Sequence, residues 1–421
     1  MYMSIFCANA QGKINAIASK SVAHRLLICA AFADMPTRIR CDQTNKDIEA
    51  TAACLSALGA RIERNTPYYD VTPVDKNAIN KNAALPCNES GSTLRFLLPV
   101  AAALGADSLF VMNGRLPDRP LSPLREELEA HSVVFFEKNP LRINGTLTGN
   151  EFSIDGGVSS QFVSGLLFAL SLLDHDCKLT VNGNIESAPY IDITCDALAL
   201  FGAPVKKDGN TYIINAKGRL ISPREIEVEG DWSNAAFPLA LGILKGKVEV
   251  SGLNCSSSQG DMAIVDILKA FGGNVSYCEE SGAYIACKSS LTGTDIDASQ
   301  IPDLVPVLAT VATVAQGTTR IYGAARLRLK ESDRIQSTYA VLRALGADIT
   351  ETADGLMING VEKLCGSDVD SYNDHRIAMS VAVASALTED KIHLSGAEAV
   401  TKSYPDFWKD MRSLGLICDQ T

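Results

Sequence analysis

Basic and hydroxyl side chains gather in this chain at places where helices are expected to begin. Lys20, Ser21 and Arg25 open the apolar stretch KSVAHRLLICAAFA, and Glu89, Ser90, Gly91, Ser92 and Arg95 open SGSTLRFLLPVAAAL. Four more such starts carry Ser159, Ser160 and Gln161; Asp231 and Ser233; Asp303; and Asp374, His375 and Arg376. A second series of helix starts carries Asp47, Arg119, Ser187, Tyr190, Lys330, Glu331, Asp333, Arg334 and Lys402. Unpaired N–H groups and the positive end of the macrodipole make a helix N-terminus a natural seat for phosphate or carboxylate. Lys and Arg placed there add charge-assisted contacts, bidentate in the case of Arg. If several of these ends point into one cleft, that cleft is strongly cationic inside an acidic protein.

Each member also admits a plainer reading. Ser159, Ser160, Ser233 and Asp303 can be simple N-caps. RLRLKESDR can be a solvated, charged helix start. His375 can be a packed core histidine. Recurrence favours binding, because basic groups stand beside Ser, Gln or Gly at matching places along the chain. Other chemistries lack their residues. GxxxxGK[ST], a GxGxxG after a strand, HExxH, paired Cys/His spacing and a GxSxG elbow are all missing from the sequence, so no P-loop, dinucleotide, metal or hydrolase site is expected. With 38 basic and 49 acidic residues the net charge is -11, a poor balance for general nucleic-acid binding. The 12 cysteines form no CxxC pair, which points to reduced thiols in a cytoplasm. MYMSIFCANA lacks the basic start and apolar run of a secretion signal. The apolar helices carry polar residues within each span, so none is expected to cross a membrane.

The elements that must position these residues recur. An apolar helix, Leu-Gly-Ala or a variant of it, and a short strand return as LSALGARI, ALFGAPVK, ILKAFGGNV, VLRALGADI and MRSLGLIC, with a degenerate copy near His131. The spacing is about 70 residues, too long for a solenoid of short repeats. The glycine is expected in the left-handed conformation that ends a helix before a strand. Between these copies lie the helices of the first series, each followed by a strand such as TRIRCD, KLTVNG, KVEVSG or KIHLSG. One unit therefore reads helix, strand, loop, helix, strand, strand. The last unit ends one strand short, and the N-terminal SIFCANA is a strand without a preceding helix, so it is expected to complete the sixth unit. Six units over 421 residues suggest two lobes of three.

KSVAHR (20–25), SGSTLR (90–95), LPDRP (116–120), SSQF (159–162), PYIDIT (189–194), EGDWSNAAF (229–237), IPD (301–303), RLKESDR (328–334), NDHRIAM (373–379) and TKSYPDF (401–407) resemble, in order and spacing, the EPSP synthases (3-phosphoshikimate 1-carboxyvinyltransferases) of the enolpyruvyl transferase family. The resemblance implies an α/β fold of two similar lobes, each of three βαβαββ repeat units, with the active site in the inter-lobe cleft. The first lobe would span 19–228, and the second 1–18 plus 229–421. It implies transfer of the enolpyruvyl group of phosphoenolpyruvate to the 5-hydroxyl of shikimate 3-phosphate, in the shikimate pathway to chorismate and aromatic amino acids, by a cytoplasmic monomer needing no metal or organic cofactor. Carried over by motif, Ser21, Arg25, Ser159, Ser160, Ser187 and Lys330 hold shikimate 3-phosphate, with Tyr190 close by. Gly91, Arg119, Arg334, Arg376 and Lys402 hold phosphoenolpyruvate, and Lys20 and Gln161 lie between both. Asp303 and Glu331 are the proton-transfer pair, assisted by Lys20; Asp303 also faces shikimate 3-phosphate. Asp303 is expected to accept from the hydroxyl and Glu331 to handle the proton at C3. Gly91 leaves room where compact phosphonate mimics such as glyphosate would compete. Glu89 stands where many relatives have Asn, and Arg326 where a neutral amide is common. The sister transferase acting on UDP-N-acetylglucosamine carries a reactive cysteine in its mobile loop, whereas here that loop reads NGRLPDRPL. A non-catalytic anion binder on the same scaffold is the other alternative, and the retained Lys20, Asp303, Glu331 and Arg376 speak against it.

Overall fold

The computed structural model describes residues 1–75, 77–215 and 220–420. The chain divides into a terminal unit, Met1–Ile17 with Glu229–Thr421, and a middle unit, Ala18–Val228. Each has its own buried apolar cluster. The division falls between Ile17 and Ala18, one residue earlier than expected, because Ile17 is buried in the terminal core while Ala18 packs on the middle one.

Six four-stranded sheets share one pattern among the described residues. Glu151–Asp155 runs parallel to Cys177–Asn182, which is antiparallel to Thr211–Ile214, itself antiparallel to Lys206–Asp208. The helix Ser160–Leu170 crosses between the parallel strands, and Ala188–Leu200 leads to the antiparallel pair. The unit is therefore strand, helix, strand, helix, strand, strand. The residue pattern had shown three strands, and the one it missed comes first in the unit. Glu225–Glu227, Asp295–Asp297 and Asp368–Asp370 are three-residue, acid–apolar–acid edge strands. One inward Ile or Val is too short a run to display alternation, and charged flanks suit a sheet edge.

Both units close on themselves. Tyr2–Cys7 inserts between Ile392–Ser395 and Leu416–Gln420, antiparallel to each, and completes the sixth repeat. Ala10–Asn15 then supplies the parallel edge strand beside Gly246–Ser251. In the middle unit Glu225–Glu227 does the same beside Thr37–Arg40. The helix-ending glycines Gly59, Gly202, Gly272, Gly346 and Gly415 all have positive φ. In the degenerate copy Ser132 stands at that position with φ 73.

The first-series helices are buried nearly all round. Every residue of Val305–Ala312 and of His375–Ala384 is buried, as expected of helices at the centre of a unit. Gly91–Ala103 and Ser160–Leu170 approach closely at Gly165, where a Cβ would stand 2.3 Å from the Arg95 carbonyl oxygen. Polar residues of these helices therefore concentrate at their N-terminal ends. Among the described residues no helix is long and apolar enough to cross a membrane.

Candidate functional site

In the middle unit Lys20 is the first residue of the helix Lys20–Ala31, and its ammonium lies 3.1 Å from Asp47 Oδ2. Arg25, one turn further on, is only 2% exposed. It donates to the carbonyl oxygens of Ser21 (2.6 Å) and Tyr190 (2.7 Å), to the Thr194 hydroxyl (2.8 Å) and, at 3.5 Å, to the Ser164 hydroxyl. Its guanidinium also stands 4.9 Å over the Phe96 ring. No carboxylate is among these partners, and burial pushes Arg25 down to about 10.

Ser159 caps the helix Ser160–Leu170, its hydroxyl accepting the Gln161 N–H at 3.3 Å, so the plain capping reading holds for that residue. Gln161 Oε1 accepts from Arg95 at 2.8 Å. Ser187 precedes the helix Ala188–Leu200 at φ 53, a conformation costing a non-glycine residue about 1 kcal/mol. Tyr190 contributes its backbone carbonyl to Arg25. Arg119 ends a 3-10 turn, Leu116–Asp118, and its guanidinium lies across Gly91, where a Cβ would meet NH1 at 2.4 Å. Arg95 is 5% exposed, reaches Gln161 and the Pro120 carbonyl (3.4 Å) and stands 5.3 Å over Phe162. Burial, with Arg119 adding to it, pushes Arg95 well below its ordinary value. Two guanidinium groups oppose each other here, and an anion seated against them would relieve that repulsion. Glu89 is exposed, with its side chain against Gly114.

The terminal unit has the opposite character. Asp303 receives Arg334 NH1 at 2.8 Å and Arg376 NH2 at 3.3 Å, with Lys330 Nζ at 3.8 Å. Arg334, 2% exposed, also donates to both oxygens of the fully buried Asp374 at 2.9 and 3.3 Å. Burial would lower Arg334, but Asp374, Asp303 and Glu331 outweigh it and raise it. Glu331 accepts from His375 Nδ1 at 2.9 Å. Burial acts to raise Glu331, yet His375, Arg334 and Lys402 together hold it well below the usual carboxylate range. Lys402 Nζ donates to the Asn373 carbonyl at 2.8 Å. Arg326 donates to the Ser299 carbonyl at 2.9 Å. Behind Asp303, the buried Asp261 accepts from the Ser233 hydroxyl, while the Ser233 carbonyl accepts from Arg376 at 3.1 Å. Burial first, and then the Asp303 charge, push Asp261 up to about 6.

Several expectations change at this level. Asp303 lies in the 3-10 turn Pro302–Leu304, ahead of the helix Val305–Ala312, and is not its N-cap. Glu331 lies two residues before the cap Asp333 of Arg334–Ala344, in a bend, and Lys330 ends the turn Ala325–Leu329. Lys402 closes the 3-10 turn Ala397–Lys402. Second-series helices of the terminal unit are entered through such turns, which offer side chains without consuming helix N–H groups. Ser233 is not a cap either, since Asp231 takes that role. Glu331 stands as a carboxylate beside His375.

Arg95, Asp374 and His375 were visible as helix-start residues, yet their parts were not. His375 is buried as a core histidine would be, but it is the hydrogen-bond partner of Glu331. Glu331, Asp374 and His375 place metal-ligand atoms within 4.8 Å of one another. The Asp374 oxygens accept from Ser332, Arg334 and the Arg376 N–H, and His375 Nδ1 is engaged by Glu331. This group is built to hold arginines, not to present an open ligand set.

A family model described as EPSP synthase (3-phosphoshikimate 1-carboxyvinyltransferase) matches residues 7–411. A 3-phosphoshikimate 1-carboxyvinyltransferase of Clostridium kluyveri is 42% identical over 424 residues, covering 100% of this chain and 98% of that protein. One from Clostridium acetobutylicum is 39% identical, covering 96% and 95%. Among solved structures, an EPSP synthase from Acinetobacter baumannii superposes with a TM-score of 0.82 at 27% identity over the whole of both chains. The enolpyruvyl transferase NikO from Streptomyces tendae shares the fold, with a TM-score of 0.80 at 17% identity over 100% of this chain and 98% of that one.

Proposed function

From the premise that this chain belongs to the EPSP synthase (3-phosphoshikimate 1-carboxyvinyltransferase) family, we propose a division of labour between its two units. The protein is a transferase that moves the enolpyruvyl group of phosphoenolpyruvate to shikimate 3-phosphate. The middle unit supplies anion seats. Ser21, Arg25, Ser159, Ser160, Ser187 and Tyr190 take shikimate 3-phosphate, and Gly91 and Arg119 take phosphoenolpyruvate. Lys20 and Gln161 serve both, and we add Arg95 behind Gln161. The terminal unit supplies Lys330 for shikimate 3-phosphate, Arg334, Arg376 and Lys402 for phosphoenolpyruvate, and the carboxylates Asp303 and Glu331.

The hydroxyl oxygen bonds to C2 of phosphoenolpyruvate, its proton passes to Asp303, and C3 takes a proton. The adduct then loses phosphate from C2 and a proton from C3, which restores the double bond. Glu331 enters as a carboxylate, so the proton for C3 is held by the Glu331–His375 pair or by Lys20. A general base must reach the proton it removes, and fixed cations must face the charge that develops.

The observation that carries the reading is the burial of Arg25 and Arg95 with neutral partners only. A buried cation without a carboxylate is costly unless an anion completes it. All twelve cysteines are free, which suits a reducing cytoplasm. A monomer is expected to elute near 44.9 kDa. The deciding assay is phosphate release. It is expected with shikimate 3-phosphate plus phosphoenolpyruvate, and not when UDP-N-acetylglucosamine replaces the shikimate. No release with either acceptor would leave only an anion-binding protein.

A further inference from the structure

A closed circuit of hydrogen bonds lies beneath the Lys20 and Gly91 helix starts. His24 Nδ1 meets the Thr51 hydroxyl at 2.6 Å, Thr51 meets Thr93 at 2.7 Å, and Thr93 donates to Ser90 at 2.8 Å. Ser90 meets Ser92 at 3.3 Å, and Ser92 returns to His24 Nε2 at 3.1 Å. The ring therefore closes through one imidazole and four hydroxyls, joining the helices Lys20–Ala31, Lys46–Leu58 and Gly91–Ala103. His24 is 1% exposed, with Phe96 edge-on at 6.3 Å. No carboxylate belongs to the circuit.

The circuit has a direction. Thr93 donates to Ser90, so Thr51 donates to Thr93 and His24 donates from Nδ1 to Thr51; with a neutral ring, Ser92 then donates to Nε2 and Ser90 to Ser92. Each hydroxyl then gives its one proton to the next member, and Ser90 also accepts the Thr93 backbone N–H as the helix cap. Burial, with the Lys20 and Arg25 charges adding to it, keeps His24 well below its ordinary value, in agreement with that sense. Hydrogen bonds arranged head to tail in a dry interior reinforce one another.

We propose that His24 is a positioning residue: through this circuit it locks the Lys20 helix start, with its Asp47 partner, to the Gly91 turn. Lys20 lies one helical turn before His24. Gly91 lies between Ser90 and Ser92, both members of the circuit. Asp47, which holds the Lys20 ammonium, lies one turn before Thr51 on the same helix, and its carbonyl oxygen stands 3.4 Å from the Thr93 hydroxyl. The inference rests on the substrate reading above. It predicts an asymmetric defect, because the circuit supports Gly91, assigned to phosphoenolpyruvate alone, and Lys20, assigned to both substrates, but none of Ser159, Ser160 and Ser187.

Two variants break the circuit without touching a proposed binding residue: Thr51→Val, nearly isosteric, and His24→Phe. Each is expected to raise KM for phosphoenolpyruvate about tenfold, the scale of a broken buried hydrogen-bond pair. The Kd for shikimate 3-phosphate, measured without phosphoenolpyruvate, should stay within about twofold, and Thr51→Ser should restore the parental KM. A folded Thr51→Val protein with parental KM overturns the proposal, and so does equal weakening of both substrates. Nitrogen NMR of the imidazole in the parent chain is the second test. A ring fixed as the Nδ1–H tautomer that does not titrate across the neutral range supports the circuit, and an Nε2–H or titrating ring overturns it. That measurement needs no substrate, so it separates failure of the circuit from failure of the functional reading.

Discussion

The two units share one repeat and use arginine in opposite ways. In the middle unit Arg25 and Arg95 are buried against carbonyls, hydroxyls, an amide and aromatic rings, and burial lowers both. In the terminal unit Arg334 and Arg376 are as deeply buried, but Asp303 and Asp374 meet them, and Arg334 is raised. A cation among neutral dipoles is an unfinished ion pair awaiting an anion from outside. A cation bound to a carboxylate is already paired, and any anion from outside must share it with that carboxylate. The same scaffold thus yields one unit whose buried arginines meet only neutral groups and one whose buried arginines meet carboxylates.

The largest effect should come from deleting one cation on each side. Arg334→Met leaves Asp374 and part of Asp303 buried without their partner, so chemical denaturation should show the terminal unit losing about 3 kcal/mol or more. Arg95→Met removes a charge that no carboxylate balances, so the middle unit should hold or gain stability while phosphoenolpyruvate binding weakens. Equal destabilisation by both variants would break the comparison.

Next in size is the chemical step. Asp303→Asn and Glu331→Gln are each expected to lower kcat about a hundredfold or more, the scale of general acid–base groups. Arg119→Ala and Lys402→Ala should instead mainly raise KM for phosphoenolpyruvate. Steady-state kinetics with direct binding separates the two classes. Near-parental turnover in Asp303→Asn would remove it as proton acceptor.

A smaller effect is expected at Gly91. Its added Cβ in Gly91→Ala would meet the Arg119 guanidinium at 2.4 Å, and the flexible end of that side chain must move. Inhibition by compact phosphonates such as glyphosate should weaken, and KM for phosphoenolpyruvate should rise by less than in Arg119→Ala. Unchanged inhibition constants would count against the contact.

The smallest effect concerns pH, and its sign differs between the units. His24 is depressed in the folded middle unit, so the unfolded chain binds the extra proton, and stability is lost as pH falls through the ordinary histidine value of about 6.5. Asp261 is raised to about 6 in the terminal unit. The folded form therefore binds the extra proton, and stability is gained as pH falls from there toward the ordinary Asp value. Each slope is at most about 1.4 kcal/mol per pH unit. Glu331 is depressed, so its contribution disappears only below the ordinary Glu range. Denaturation followed separately in the two units should show these two contributions with opposite signs on mild acidification, the His24 one set against the raised His175 of the same unit. His24→Phe should flatten the first trend and Asp261→Asn the second.

Much of this was legible along the chain. Helices showed through recurring apolar stretches, and their ends through Leu-Gly-Ala, because a left-handed position favours glycine. The unpaired strand at the N-terminus announced its place in the sixth repeat, since each repeat needs the same strands. The basic helix starts also stood out, because charge is rare at the mouth of a buried helix. Tertiary structure alone decided the acidic edge strands, which are too short for a pattern, and the turns that carry Asp303, Glu331 and Lys402. It alone joined Glu331 to His375, Arg95 to Gln161, and His24 to Thr51 and Ser92, residues 44, 66, 27 and 68 positions apart. Residue type states what a side chain can do. Whether an arginine waits for an anion or already holds a carboxylate depends on which distant residues the fold sets beside it, and local propensity carries no information about that distance.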